Sequence, residues 1–167
     1  MSLFLLSGCA GTRHPPLTLA DRIDLERFMG DWYVIANIPT ALERRAHNAV
    51  ETYRLDADGT IATTFTFRDG AFDGSEKRYH PRGFVRDTTS NAVWGMQFVW
   101  PIKAEYVIVH VDEAYQQTII GRSKRDYVWV MARTPSMPES DYARIVALLD
   151  REGYDVARIR KVPQRWP

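Results

Sequence analysis

From Gly30 onward, apolar and polar residues alternate in short runs broken by turn signals. Runs rich in Val, Ile, Thr, Tyr and Phe fall at Trp32–Ile38, Ala49–Leu55, Ile61–Arg68, Lys77–Arg86, Ala92–Trp100, Glu105–Val111, Gln117–Arg122 and Tyr127–Arg133. Alternation of this kind marks a strand with one face on a core, so the pattern predicts eight strands. The links Asp56-Ala57-Asp58-Gly59, Asp87-Thr88-Thr89-Ser90-Asn91 and Asp112-Glu113-Ala114 have hairpin length. The alternating links, Pro39–Asn48, Asp69–Glu76 and Pro101–Ala104, are mostly longer or richer in Gly and Pro. Short links at one end and longer ones at the other describe an all-β fold: an eight-stranded antiparallel up-and-down β-barrel with a closed and an open end.

After the eighth run the period changes. Ser136-Met137-Pro138-Glu139 has the spacing of a capping box with Pro in the first turn. Tyr142, Ile145, Val146 and Leu149 then recur at helical spacing, and Gly153 is placed to end the helix. One C-terminal α-helix packed on the barrel is therefore expected, followed by a short final strand near Val156–Val162.

Two separated segments make the prediction more specific. Gly30, Asp31, Trp32 and Tyr33 follow a short helical approach from Asp24 to Phe28, and Arg125-Asp126-Tyr127-Val128-Trp129 runs on to Arg133-Thr134-Pro135 about a hundred residues later. An indole face and a guanidinium held out of water attract by ~1–2 kcal/mol, and the arginine keeps donors for chain-end carbonyls. The pairing, with the helix placed after the eighth strand, resembles the lipocalins, and within them the bacterial lipoprotein lipocalins, over roughly Asp24 to Val162. The resemblance implies that Trp32 closes the barrel floor and that Arg133 lies over its indole.

With Trp32 and Arg133 facing inward, parity carries Val34 and Ala36 inward on the first strand and Met131, Trp129 and Tyr127 inward on the eighth. The family register implies Tyr53 and Leu55, Phe65 and Phe67, Trp94, Met96 and Phe98, Tyr106, Ile108 and His110, and Gln117 and Ile119 for the rest. Eight strands can hold one small ligand or be filled by side chains, and both readings stay open. The unbranched Met96 and Met131 suit an adaptable pocket. Glu51 is the anomaly, because it shares the inward parity of Tyr53. It sits either in water near the mouth or against a buried partner, or it carries a raised pKa and accepts a hydrogen-bonding ligand group.

Composition and charge narrow the function. A net charge of +1 over 167 residues gives no concentrated basic face for nucleic acid. At the expected open end Arg44, Arg45, Arg68, Lys77, Arg78, Lys103, Arg122, Lys124 and Arg125 outnumber the acids, which favours a ligand with an anionic head. His14, His47, His80 and His110 are isolated, so neither a metal site nor a catalytic triad is signalled, and no cofactor is expected. The chain has a single cysteine, Cys9. Leu6-Ser7-Gly8-Cys9 resembles a bacterial lipobox, although only eight residues, none of them basic, precede the cysteine. Residues 1–23 are accordingly expected to be a truncated signal, a lipidated Cys9 and a tether, and residues 24–167 the barrel domain. Ala10, where an aspartate after the cysteine would mark the inner membrane, implies by the same resemblance the outer membrane, with the protein lipid-anchored and facing the periplasm.

The leading expectation is a non-catalytic protein that binds and stores or transports a fatty acid or lysophospholipid, in envelope maintenance or stress. A lipocalin-fold enzyme acting on a lipid and a tetrapyrrole or pigment binder are the alternatives. Exposed aromatics such as Trp100 and Trp166 offer a surface through which two copies can pair as a homodimer.

Overall fold

The computed structural model of the protein describes residues 14–167, so Cys9 and the lipobox lie outside the described residues. The strands are β1 (Gly30–Ile38), β2 (Ala46–Leu55), β3 (Thr60–Asp69), β4 (Glu76–Tyr79), β5 (Arg82–Val85), β6 (Val93–Val99), β7 (Ile102–Val111), β8 (Gln117–Gly121), β9 (Val128–Ala132) and β10 (Arg160–Lys161). The order β1-β2-β3-β5-β6-β7-β8-β9 closes by pairing of β1 with β9, which makes an eight-stranded antiparallel barrel. Two strands are additional: β4 pairs with β3, and β10 pairs with β1 at Ala36 and Asn37.

The expected strand Lys77–Arg86 breaks at His80-Pro81. Proline has no N–H for the ladder, and the Pro81 carbonyl instead accepts from Thr63 N at 3.1 Å. Residues 76–79 therefore pair with the mouth end of β3 (Phe65–Arg68), and residues 82–84 pair with its floor end (Thr60–Ala62).

Apolar side chains form two layers. One fills the barrel around Trp32, Tyr53, Trp94 and Ile108; the other lies between the wall and helix α2 (Glu139–Arg151), where Ile145 and Leu149 bury against Ala36, Ile38, Val107, Ile119, Val128 and Val130. The capping box expected at Ser136 does not form. Helix α2 starts at Glu139, and the Pro138 carbonyl accepts from Asp141 N and Tyr142 N, both at 3.0 Å. Gly153 ends the helix with φ +86°. The final strand is shorter than expected, because Val156–Arg158 turn as a 3-10 helix and leave only Arg160–Lys161 extended.

Packing also begins before Asp24. Leu17 and Ile23 are buried, the Pro15 carbonyl accepts from Arg125 Nη2 at 2.7 Å, and Ile23 N donates to Ser90 O at 2.7 Å. This stretch runs along the outer wall from the open end, where Arg125 sits between β8 and β9, to the closed end, where Ser90 sits between β5 and β6.

The closed end is sealed by helix α1 (Leu25–Phe28), capped by Asp24, whose Oδ1 accepts from Arg27 N at 3.2 Å. The Arg133 guanidinium lies 3.8 Å from the Trp32 ring centre. Its nitrogens donate to the carbonyls of Asp31 and Arg27 at 2.8 Å each, and of Phe28 and Tyr115 at 3.2 Å each. Trp32 Nε1 donates to Phe28 O at 2.8 Å. Gly30, at φ +93°, passes under this arginine, and a Cβ there would meet Arg133 Nη1 at 3.4 Å as well as strain the backbone. Arg133→Ala strips several carbonyls and the indole of their partner, so urea unfolding should show a loss of about 2–4 kcal/mol. Arg133→Lys should recover less than half of it, because an ammonium lacks the guanidinium fork.

Candidate functional site

The floor half of the barrel is solid. Phe28 packs against Trp32, Tyr53 and Trp94 at ring-centre distances of 5.1, 5.7 and 5.5 Å, and Trp94 stacks on Tyr106 at 5.4 Å. Val34, Tyr53, Trp94, Ile108 and Met131 belong to this packed interior. Phe67 joins it higher up, in contact with Phe65 at 5.3 Å and Tyr79 at 6.2 Å.

Above the floor a cavity of about 270 Å³ opens toward the mouth. Of the residues expected to face the lumen, Phe65, Met96, Phe98, Tyr106 and Trp129 border it. So does Glu51, together with Thr40, Leu42, Glu43, Thr63, Pro81, Ala104, Glu105 and Arg122. Phe98 is half exposed at the rim, beside the exposed Val99, Trp100 and Ile102 at the tip of the β6–β7 hairpin.

Five inward assignments are corrected. A β-bulge between Val34 and Ala36 flips the parity of β1 and sends Ala36 into the helix-facing layer. A second bulge, between Ile108 and His110, turns His110 outward into a groove bordered by Asp141 and Arg144 of α2. On β8 the parity is opposite to the expected one: Thr118 pairs with the inward Met131, and Ile119 pairs with Val130 of the helix layer. Gln117 likewise faces α2, donating to Asp141 Oδ2 at 2.6 Å. Tyr127 precedes β9 and sits at the rim, its ring 5.3 Å from the Arg122 guanidinium carbon.

Part of the expected basic mouth is paired with acids. Arg45 pairs with Asp69 at 3.4 Å, Arg68 and Arg78 with Glu76 at 3.5 and 2.7 Å, and Arg122 with Asp126 at 3.5 Å. Arg125 is buried and spends its donors on the carbonyls of Pro15, Ser123 and Glu152. Arg122 stands apart from these, since it lines the cavity and its buried Nε has no hydrogen-bond partner among the described residues.

Glu51 is not in open water at the mouth. It is 8% exposed, opposite Trp32 across the β1–β2 ladder, and its Oε2 accepts from the Tyr53 hydroxyl, which is in turn hydrogen-bonded to the Tyr106 hydroxyl. The partner is a tyrosine pair and not a cation. Burial pushes the Glu51 carboxyl up to about 7; the Tyr53 bond opposes this and the charge of Glu43 adds to it. Glu43 reaches the cavity from the 3-10 turn Ala41–Glu43, and sequence periodicity gave no sign of it. It is 4% exposed, with Oε1 accepting from Thr40 N at 2.8 Å and Oε2 from Trp129 Nε1 at 3.0 Å. Burial raises its pKa, against the opposing effect of those bonds and of the Arg160 charge.

The Glu51 shift has a consequence for stability. Between the ordinary carboxylate value of 4.5 and about 7 the folded protein holds a proton that the unfolded chain has released. Stability is therefore full at the acid end of that window and falls as pH rises through it, by about 3 kcal/mol for this group alone. Glu51→Gln removes that slope, so its unfolding free energy should gain on wild type from pH 5 to 8. Parallel curves for the two proteins would contradict the burial of an ionisable Glu51.

Comparison with known proteins agrees with this geometry. The chain is 29% identical to temperature-induced lipocalin-1 of Arabidopsis thaliana, over 92% of this chain and 86% of that protein. It is 27% identical to the outer membrane lipoprotein Blc of Escherichia coli K12, over 96% and 91% respectively. Among solved structures, insecticyanin of the tobacco hornworm Manduca sexta superposes with a TM-score of 0.70 at 13% identity, covering 89% of this chain and 85% of that one. Lobster apocrustacyanin A1 superposes at 0.68 and 12%, covering 86% and 81%. At such identities these two show a shared fold alone. The lipocalin-like domain model matches residues 23–164, and the chain belongs to the lipocalin-like family.

Proposed function

We propose that the protein is a non-catalytic carrier or store for a single-chain lipid such as a fatty acid or lysophospholipid. The observation that carries this reading is the cavity itself: a pocket walled by Phe65, Met96, Phe98, Ala104, Tyr106 and Trp129, closed below by the packed floor and open at one end. Burying an alkyl chain there contributes ~0.8 kcal/mol per CH₂, set against the ordering cost of association. A head group left at the rim meets Arg122.

The N-terminal segment supports a place of action at a membrane. The chain joins the barrel at Pro15 beside Arg125, at the open end. Whatever its conformation, a chain of this length from Cys9 to Pro15 reaches at most roughly 20 Å, so a lipid on Cys9 would hold the mouth close to a bilayer surface. The similarity to outer membrane lipoproteins supports the outer membrane as that bilayer, with a role in envelope maintenance or stress.

Affinity for a homologous series of alkyl ligands tests the reading. The dissociation constant should fall about fourfold per added CH₂ until the cavity is full and then level. Ala104→Phe, which projects a ring into the cavity, should weaken binding about tenfold while leaving the unfolding midpoint near that of wild type. Affinity independent of chain length would contradict the proposal.

A further inference from the structure

The cavity wall carries two buried carboxyls that form no ion pair among the described residues. Glu43 and Glu51 both line it, and none of the ion pairs among the described residues includes either. Glu43 is satisfied at both oxygens, by Thr40 N and Trp129 Nε1. Glu51 is not. Its Oε2 takes the Tyr53 hydroxyl, whereas Oε1 has no hydrogen-bond partner among the described residues and is not sealed away from the cavity, although the residue as a whole is 8% exposed. A buried carboxylate with a free oxygen and no counter-charge is costly to ionise. A ligand that brings the missing donor relieves that cost.

We propose that Glu51, backed by Glu43, is the subsite for the ammonium group of a single-chain amphiphile such as a long-chain amine, whose alkyl chain lies against Phe65, Met96 and Trp129. The inference rests on the lipid-carrier reading and narrows it. An ammonium has three donors and no acceptor, which matches a wall that offers carboxylate oxygens. An anionic head at the same depth would add a further negative charge beside two carboxyls, so a fatty acid has to bind with its head outward, toward Arg122.

The groups around Glu51 fix the direction of the pH effect. Tyr53 on β2 and Tyr106 on β7 are pushed by burial well above the ordinary phenol range and stay protonated. Glu105 on β7 is engaged by Ser123 N and Oγ at 2.7 and 2.6 Å, and Arg122 after β8 by Asp126. Glu51, with Glu43 beside it, is the group that changes charge near neutrality. Burial holds it at about 7 in the free protein, and an ammonium in contact favours its ionised form. Amine binding below that pH therefore expels a proton, and amine affinity rises as pH approaches it.

Isothermal titration of the full chain with dodecylamine, dodecanol and dodecanoate, at pH 6 and pH 8 in buffers of different protonation heat, tests the subsite. At pH 8 the amine should bind about tenfold or more tighter than the alcohol, and dodecanoate no tighter than the alcohol. At pH 6 amine binding should release about one proton. Glu51→Gln should bring the amine-to-alcohol ratio toward one and abolish the release, with thermal unfolding confirming a folded variant; should it not fold, the wild-type proton release decides. Dodecanoate binding tightest, with that preference lost in Arg122→Met, would overturn the amine subsite and leave the lipid-carrier reading standing. Equal affinities without proton release would overturn it too. Failure of all three ligands to bind would overturn the carrier reading itself.

Discussion

Everything above the floor depends on the contact between the Trp32 indole and the Arg133 guanidinium. The two residues stand on the strands whose pairing closes the barrel, β1 and the exit of β9, and their 3.8 Å approach is reinforced by donors spent on four carbonyls from α1, from Asp31 and from the β7–β8 link. A guanidinium suits this place because its planar fork satisfies several chain ends at once while its face meets the indole. With the closed end fixed in this way, the aromatic cluster of Phe28, Tyr53 and Trp94 has a surface to pack on, and the interior fills from the bottom.

The two ways an eight-stranded barrel can be occupied are both realised, at different heights. Large rings fill the lower half to a packed core, where the only vote left to a side chain is how well it packs. Higher up, Met96, Thr63, Ala104 and Pro81 share the wall with Phe65, Phe98 and Trp129, and open space remains. The boundary falls at Tyr106, which stacks on Trp94 below and borders the cavity above. At this boundary Tyr53 and Tyr106 turn their hydroxyls toward Glu51, so the apolar floor ends in a polar ledge carrying an ionisable group.

Much of the architecture was legible in the sequence, because strand alternation, turn residues and the Gly-x-Trp…Arg spacing all act locally or in pairs. The fold class, the order of elements and the closing clasp follow from them. The parity of individual strands did not. Ala36 and His110 were misplaced because a bulge inserts one residue without any mark in the alternation of Val, Ile and Ala, and each insertion exchanges inner and outer faces, whereas Gln117 and Ile119 were misplaced because the whole of β8 has the opposite parity. The split at Pro81 was readable, since a proline inside a long run argues against an unbroken strand. Glu43 lies in a connection that has no period, so only the folded chain brings it to the cavity, whereas Arg122 was expected at the open end as one of many cations and not against the cavity wall. Glu51 was visible as an exception to the apolar face. Its partners were visible too, but as core aromatics and not as hydroxyl donors.

The central claim is that the upper half of the barrel is a lipid site and not a packing flaw. Native mass spectrometry of the full chain, purified from cell membranes without a delipidation step, addresses it most directly. The account predicts a one-to-one adduct that dissociates as a single-chain amphiphile. A spectrum of bare protein alone, under conditions gentle enough to keep the fold, would contradict it.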